Sequence, residues 1–341
     1  MVRINNKATL ANAKQYSNVV IVCDSNTKKH CLPRLLASNQ LLKTAPIVTI
    51  AAGEQHKNLA TVERIITTLL KLEIDRNALL IGLGGGVLLD IVGWIAMIYK
   101  RGIAFCAVPT SLLAMVDAAH GGKRGINIGL LKNAIGGINT SELVVLDTTY
   151  LDTLPYKHIK NGYVEMLKHG LIADAPLFWK LATAEVGSLL LNESEINSSI
   201  AIKTKITTQD PTELGLRKVL NAGHSLGHAF ESYYMKQGKA LLHGEAVALG
   251  LIGELYISHS KNLITLDDLI EITNVLLAYT VRQKIPPKEV IIKYIVQDKK
   301  NNKTQLLFSL INGVGTCKYD VKVSEKEIAA ALKYLQSIYH D

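Results

Sequence analysis

The chain has 341 residues, 48% of them hydrophobic, and 38 Lys and Arg against 29 Asp and Glu give it a formal net charge of +9. This much apolar side chain excludes a disordered chain, and the length suits two domains better than one core. Four cysteines (Cys23, Cys31, Cys106 and Cys317), none in a C-x-x-C pair, exclude a disulfide framework, a zinc ribbon and a dithiol redox motif, and the basic excess leaves nucleic acid, an anionic membrane or small anionic ligands as partners.

The first residues, MVRINNKATLANAKQYSN, lack the apolar core of a signal peptide, so the expected compartment is the cytoplasm. Val19–Cys23 reads as a β-branched strand followed by a turn and N-cap cluster, Asp24 to Thr27. Ile47–Ile50 is a second strand. Asn58 caps a helix over Leu59–Leu72, with Val62, Ile65, Ile66, Leu69 and Leu70 at helical spacing. Ala78–Tyr99 is apolar enough to suggest a membrane span. Asp90 at its middle would cost about 2.5–3.5 kcal/mol, however, and Gly84-Gly85-Gly86 argues for a buried strand, a glycine loop and a helix over Val87–Tyr99. Ile103–Val108 and Leu143–Leu146 complete a strand–helix alternation that implies a mostly parallel sheet. Beyond Pro155 the periodicity is helical: 156–170, 177–191, 196–207, 218–233, 244–258, 266–279 and 325–338, with only Gln305–Leu310 extended. The expected organisation is an α/β domain over 1–155 and an all-helical domain over 156–341.

Three groups of residues carry chemistry. IGLGGGVLLD (81–90) places glycines between a strand and a helix, where backbone can approach a pyrophosphate, although the spacing is not G-x-G-x-x-G. Asp24 and Asn26, and the turn Gly53 to Lys57, share the same end of the sheet; Asp24 can hold a ribose hydroxyl or merely close an Asx turn. After the fourth strand, Asp117, Lys123, Lys132 and Asn133 sit among glycines without the i,i+4 charge pattern of a surface helix, a combination suited to phosphate or carboxylate. In RKVLNAGHSLGHAFE, Arg217, Asn221, His224 and His228 are spaced by helical turns and predict one polar face. With His243 and Glu165 from other helices, they suggest an N/O-ligated catalytic metal site with an open position. A single His is most often a satisfied structural residue; three in apolar helices are not explained that way. HSLGH has Ser225 where a metalloprotease carries its glutamate, which argues against peptide hydrolysis.

Taken in order, GEQHK, GGGVLLD, YKRGIAFCAVPTSLLAMVD, GGKRGIN, LKN, TLP, VEMLKHG, GLRKVLNAGHSLGHAFE, LHGEAVALG and DKK resemble the 3-dehydroquinate synthase family of sugar phosphate cyclases, from about Val19 to Gly315. The resemblance implies a Rossmann-like NAD-binding domain before the helical one. It implies conversion of 3-deoxy-D-arabino-heptulosonate 7-phosphate to 3-dehydroquinate and phosphate, by transient NAD-dependent oxidation, phosphate elimination, reduction and aldol closure. It assigns Glu165, His224 and His243 to Zn2+, or Co2+ on the same ligands. To NAD it assigns Asp24, Asn26, Glu54, Lys57, Gly85, Gly86, Asp90, Thr110, Ser111, Asp117 and Thr153, with Lys123 and Lys132 beside them. Lys123, Lys132, Asn133, Lys168, Lys203, Arg217, Asn221, His228 and Lys299 (adjacent to Lys300) form its substrate and catalytic set. It also implies a homodimer. The chain departs from the family pattern at Leu89 (usually Gly), Ala118-Ala119 (usually Ser-Ser), His120 (usually a small aliphatic residue), Arg124 (usually Thr), Lys157 (usually Arg) and His169 (usually Tyr).

Two rivals stand beside this reading. Another cyclase or an NAD-dependent polyol dehydrogenase would share the fold, but the number of anion-binding groups favours a substrate carrying both carboxylate and phosphate. A nucleic-acid-binding protein would need a dense basic stripe with interleaved aromatics, which the sequence lacks.

Overall fold

The computed structural model describes residues 3–5, 15–129, 131–185, 191–297 and 305–340. Lys299 and Lys300 lie outside them, as does the part of the helix expected over 177–191 that falls at 186–190. The chain divides into two compact units, Met1–Ile159 and Lys160–Asp341. No helix among the described residues is long and apolar enough to cross a membrane.

In the first unit the elements run β1 (Arg3–Asn5), β2 (Val19–Asp24), α1 (Ser25–His30), α2 (Leu32–Ser38), β3 (Ile47–Ile50), α3 (Leu59–Lys71), β4 (Leu79–Gly84), α4 (Gly86–Ile98), β5 (Ala104–Pro109), β6 (Lys123–Ile128), β7 (Leu131–Ile138) and β8 (Leu143–Val145). Six strands form one sheet in the order β1-β8-β5-β4-β2-β3, and every pair is parallel. All residues of β4 are buried, as a central strand covered on both faces requires. Asn58 accepts the Thr61 N–H and starts α3, which buries Val62, Ile65 and Leu69. These pack with Val20, Leu80, Leu89, Val92 and Phe105 into the core. From β2 the chain moves outward to β3, then returns to β4 on the other side of β2. That reversal opens a crevice beyond the carboxyl ends of β2 and β4, the usual ligand position in such a sheet.

The hairpin β6–β7 is a finding. The sequence suggested a polar cluster there, because charges and glycines interrupt any alternation. The glycines make the pairing possible: a Cβ at Gly136 would lie 2.1 Å from the Arg124 carbonyl oxygen.

The second unit takes in most of α5 (Tyr156–Ala173), then α6 (Ala175–Ala182), α7 (Glu193–Gln209), α8 (His224–Lys236), α9 (His243–Ser260), α10 (Leu266–Leu277), α11 (Lys288–Gln297), β9 (Leu306–Ile311), β10 (Cys317–Val323) and α12 (Glu325–His340). The helical expectation for this half gains a two-stranded antiparallel hairpin; Cys317, Tyr319, Val321 and Val323 alternate with Lys318, Asp320 and Lys322 along β10, a strand signal that the helical reading passed over. The expected helix over 177–191 ends at Ala182. α11 was not anticipated.

α8 and α9 cross closely through glycines. A Cβ on Gly250 would fall 2.0 Å from the Gly223 carbonyl oxygen and 2.6 Å from the Gly227 nitrogen, both backbone atoms that cannot rotate away. Gly250→Ala is therefore expected to lower stability by about 1–3 kcal/mol, read as a shift in the urea midpoint at unchanged m-value.

Candidate functional site

The helix expected over 218–233 is broken. Leu216–Asn221 forms a 3-10 turn, Ala222 is extended, and Gly223 adopts φ +78° before α8 starts at His224. Arg217, Asn221, His224 and His228 therefore do not share one helical face as their spacing suggested; the left-handed conformation at Gly223 redirects the chain. Glycine recurs through this segment, so the break carries no distinctive mark in the sequence.

The break builds a site. Three helices contribute one group each: Glu165 from α5, His224 as the first residue of α8, and His243 as the first residue of α9. The Glu165 side chain has no exposed surface. Its Oε1 lies 3.5 Å from His243 Nε2 and 3.7 Å from His224 Nε2, and its Oε2 pairs with the buried Lys168 ammonium. One ligand atom from each of the three residues falls within 4.8 Å of the others. The Ala222 carbonyl, 3.1 Å away, can only accept, so it places the hydrogen on His224 Nδ1 and leaves Nε2 directed at Glu165. A carboxylate and two imidazole nitrogens converging on one point fit a divalent ion.

HGE in α9 serves three purposes. His243 faces the cluster. Gly244 lets α9 approach α5, where a Cβ would lie 2.3 Å from the Asn161 carbonyl oxygen. Glu245 accepts the Leu242 N–H and caps the helix.

Around this cluster the assigned residues are held by specific partners. Lys168 also donates to the Leu220 carbonyl at 2.8 Å. Arg217 is buried, and its Nη1 donates to the Pro211 carbonyl. The loop that carries it is folded by Asp210, whose carboxylate accepts the N–H groups of Leu214, Gly215 and Arg217 and is thereby held below the usual carboxylate range, although burial opposes this. Asn221 donates to Glu213 at 2.6 Å. Lys203 is buried on α7. The His228 ring centroid is 5.1 Å from that of His224.

In the first unit, Glu54, Lys57, Asp90 and Asn133 come together. Lys57 is buried and donates to Asp90 Oδ2 and Asn133 Oδ1, each at 2.6 Å. Asn127 ties the hairpin to the same turn: its side chain donates to Glu54, its N–H donates to the Lys57 carbonyl, and its Oδ1 accepts the Asn133 N–H. Gly85 is the uncapped N-terminus of α4, and a Cβ there would lie 3.4 Å from Ser111 Oγ. The Thr110 N–H donates to the Gly84 carbonyl. Gly86 packs against Ala118, where a Cβ would sit 3.2 Å away. Asp24 uses Oδ1 to cap α1 through Asn26 and Thr27. Asn26, Lys123 and Thr153 are exposed, and Lys132 and Asp117 are half-buried.

Four of the departures have structural accounts. Leu89 lies wholly in the core and faces away from the glycine turn, under Gly82. Arg124 points opposite to Lys123 along β6. It is buried, donates to the Ala118 and Asn139 carbonyls, stacks on Phe105, and lies 3.7 Å from Asp90. Burial pulls its pKa below the usual arginine range, and Asp90 counters that in part. Gly93 makes room for it: a Cβ there would lie 2.6 Å from Arg124 Cδ. His120 is buried with Nε2 on the Met115 carbonyl, and His169 with Nδ1 on Ser199 Oγ.

Two carboxylates were missed in the sequence. Glu231 lies 3.8 Å from His243 Nδ1, the ring nitrogen away from Glu165; its position seven residues after His224 was a usable signal. Glu254, buried in α9, accepts two backbone N–H groups of the α8 terminus. An acid in the apolar interior of the helix, nine residues past the Glu245 cap, was its signal.

Comparison with known proteins follows the same lines. Residues 47–161 match the family model for the 3-dehydroquinate synthase N-terminal domain, and residues 162–301 match that for its C-terminal domain. A 3-dehydroquinate synthase of Parabacteroides distasonis is 34% identical over 336 residues, covering 95% of this chain and 93% of that protein. A solved 2-epi-5-epi-valiolone synthase of Streptomyces hygroscopicus subsp. jinggangensis, with NAD+ and Zn2+ bound, has TM-score 0.85 at 26% identity, covering 99% of this chain and 97% of its own. A 2-deoxy-scyllo-inosose synthase complexed with carbaglucose-6-phosphate, NAD+ and Co2+ has TM-score 0.81 at 25% identity, covering 94% and 91% respectively.

Burial pulls the His243 pKa down, but Glu165 and Glu231 outweigh it and raise the pKa to about 10 from the ordinary 6.5. The proton on His243 therefore stabilises the metal-free fold fully below about pH 6.5, and that contribution is lost as the pH rises toward 10. Thermal unfolding with a chelator should show a falling midpoint across this window, with a smaller fall in His243→Gln.

Proposed function

The chain belongs to the 3-dehydroquinate synthase family, and from that premise we propose that it converts 3-deoxy-D-arabino-heptulosonate 7-phosphate to 3-dehydroquinate and phosphate, with NAD+ and a divalent metal, Zn2+ or Co2+. The observation that carries this reading is the buried Glu165 carboxylate facing two imidazole nitrogens, with Lys168 on its other oxygen. Glu165, His224 and His243 hold the metal, which when bound supplies a Lewis acid for the substrate hydroxyls. NAD+ supplies a hydride acceptor and donor and is regenerated within the cycle.

The protein's own groups hold and orient. The α4 N-terminus, with Gly85 and Gly86 leaving it bare, takes the pyrophosphate. Asp24, with Asn26, takes a ribose hydroxyl; Glu54, Lys57, Asp90, Thr110, Ser111, Asp117, Lys123, Lys132 and Thr153 line the rest of the dinucleotide. Lys123, Lys168, Lys203, Arg217 and Lys299 hold the carboxylate and phosphate, with Asn133 and Asn221 orienting the ring. Lys168, Lys203 and Arg217 are buried and act as preorganised charge, needing no rearrangement as the leaving phosphate gains charge. His228 is placed to carry a proton at a ring nitrogen beside His224. The surplus of cationic groups favours a carboxylate-bearing substrate over the sugars of other cyclases and over a polyol.

Phosphate release from the substrate should require both NAD+ and metal and should leave no net NADH. Release without either, or accumulation of NADH, overturns the reading. Arg217→Ala and Lys168→Ala should each lower turnover by about 100-fold or more.

The cytoplasm and a homodimer complete the proposal. Four free cysteines support a reducing compartment. Exposed Leu131 and Ile135, on one face of the β6–β7 hairpin, support a self-association surface. Light scattering should give a dimer that Leu131→Lys weakens.

A further inference from the structure

Glu254 lies outside every group so far given a role, although it is one of the most buried charges in the protein at 2% exposure. It sits on α9, the helix that starts with His243, and reaches to α8, the helix that starts with His224. Its Oε2 accepts the Gly223 N–H at 2.6 Å and its Oε1 accepts the Leu226 N–H at 3.1 Å. The first turn of a helix has N–H groups with no partner within the helix, and a side chain at the N-cap normally takes one of them. The N-cap of α8 is Gly223, which has no side chain. Glu254 supplies the missing cap from the neighbouring helix, as a carboxylate at the positive end of the α8 dipole.

The cap holds the residues that orient a ligand. Lys168 fixes the Leu220 carbonyl on one side of the break, and Glu254 fixes the Gly223 N–H on the other. Between them, the Ala222 carbonyl is presented to His224 Nδ1. From this geometry we infer that Glu254 is a positioning residue for the metal centre. It locks the 222–223 break, so that His224 Nε2 faces Glu165 and His243 in the free protein. The inference rests on the proposed metal site.

The test uses the full chain and Co2+ alone, with affinity measured by chelator competition and geometry by the visible absorption of bound Co2+. In Glu254→Gln one acceptor oxygen becomes an NH2 facing an N–H. This variant should bind Co2+ about 10- to 100-fold more weakly, the range for loss of an outer-shell partner, with an altered spectrum. Glu254→Asp keeps the charge but leaves a larger void, so it should lose less affinity than Glu254→Gln. A role in packing alone predicts the reverse order. Thr265→Ala removes the cap of α10, where the Thr265 hydroxyl accepts the Asp268 N–H at 3.0 Å; it serves as the comparator for general destabilisation and should keep the wild-type affinity and spectrum. Wild-type binding by Glu254→Gln, the reverse Asp and Gln order, or an equal loss in Thr265→Ala overturns the inference. Should Glu254→Gln not fold, Glu254→Asp is read alone, and an unchanged Co2+ spectrum there overturns it. A wild-type protein that binds no stoichiometric Co2+ overturns the functional reading itself, an outcome separate from the others.

Discussion

A carboxylate with no exposed surface must be neutralised within the protein, because taking the charge from water without a partner costs several kcal/mol. Glu165 is in that position, and the second unit is arranged around the answer. Lys168, one turn along α5, takes one oxygen, and imidazoles from α8 and α9 approach the other. For two different helices to start at one carboxylate, their backbones must come very close. The glycines at 223, 227, 244 and 250 supply that closeness, each leaving room where a Cβ would meet backbone of a neighbouring element. These four glycines thus serve the convergence of the two imidazoles on Glu165.

The first unit meets a related constraint with other means. Asp90 stands in α4, within a run otherwise apolar enough to suggest a membrane span, and is matched by Lys57 and Arg124. Lys57 belongs to the turn after β3, while Arg124 and Asn133 belong to the hairpin β6–β7. One carboxylate thereby fixes a turn, a helix and a hairpin to each other beside the glycine turn. Gly93 completes the arrangement by leaving space for the Arg124 side chain.

The strands and helices of the sheet were legible because apolar runs and caps are local signals: Asn58 and the strand over 79–84 lie where periodicity placed them. The grouping of Glu165, His224 and His243 was legible because imidazoles and an acid in apolar helices have few other uses. What escaped was decided by tertiary contact. The turn at Gly223 depends on Glu254, thirty-one residues away, which takes its N–H. β6 and β7 pair through glycines that weaken any strand signal. Asp24, offered as either a ligand group or an Asx turn, uses one oxygen as a helix cap and keeps the other available, so the two options are compatible.

The net charge of +9 takes on a more specific meaning in this light. Among the described residues, Lys57, Arg124, Lys168, Lys203 and Arg217 are all at least nine-tenths buried, against the carboxylates of Glu165, Glu231 and Glu254. Several of these cations rest on backbone carbonyls as well as acids: Lys168 on Leu220, Arg217 on Pro211, Arg124 on Ala118 and Asn139. A carbonyl dipole satisfies a donor without cancelling its charge, so the positive potential survives burial and is strengthened by the low dielectric around it. A basic surface stripe would spread such potential over a long polyanion. Buried lysine and arginine concentrate it at a few points, which suits a small ligand carrying its own phosphate and carboxylate.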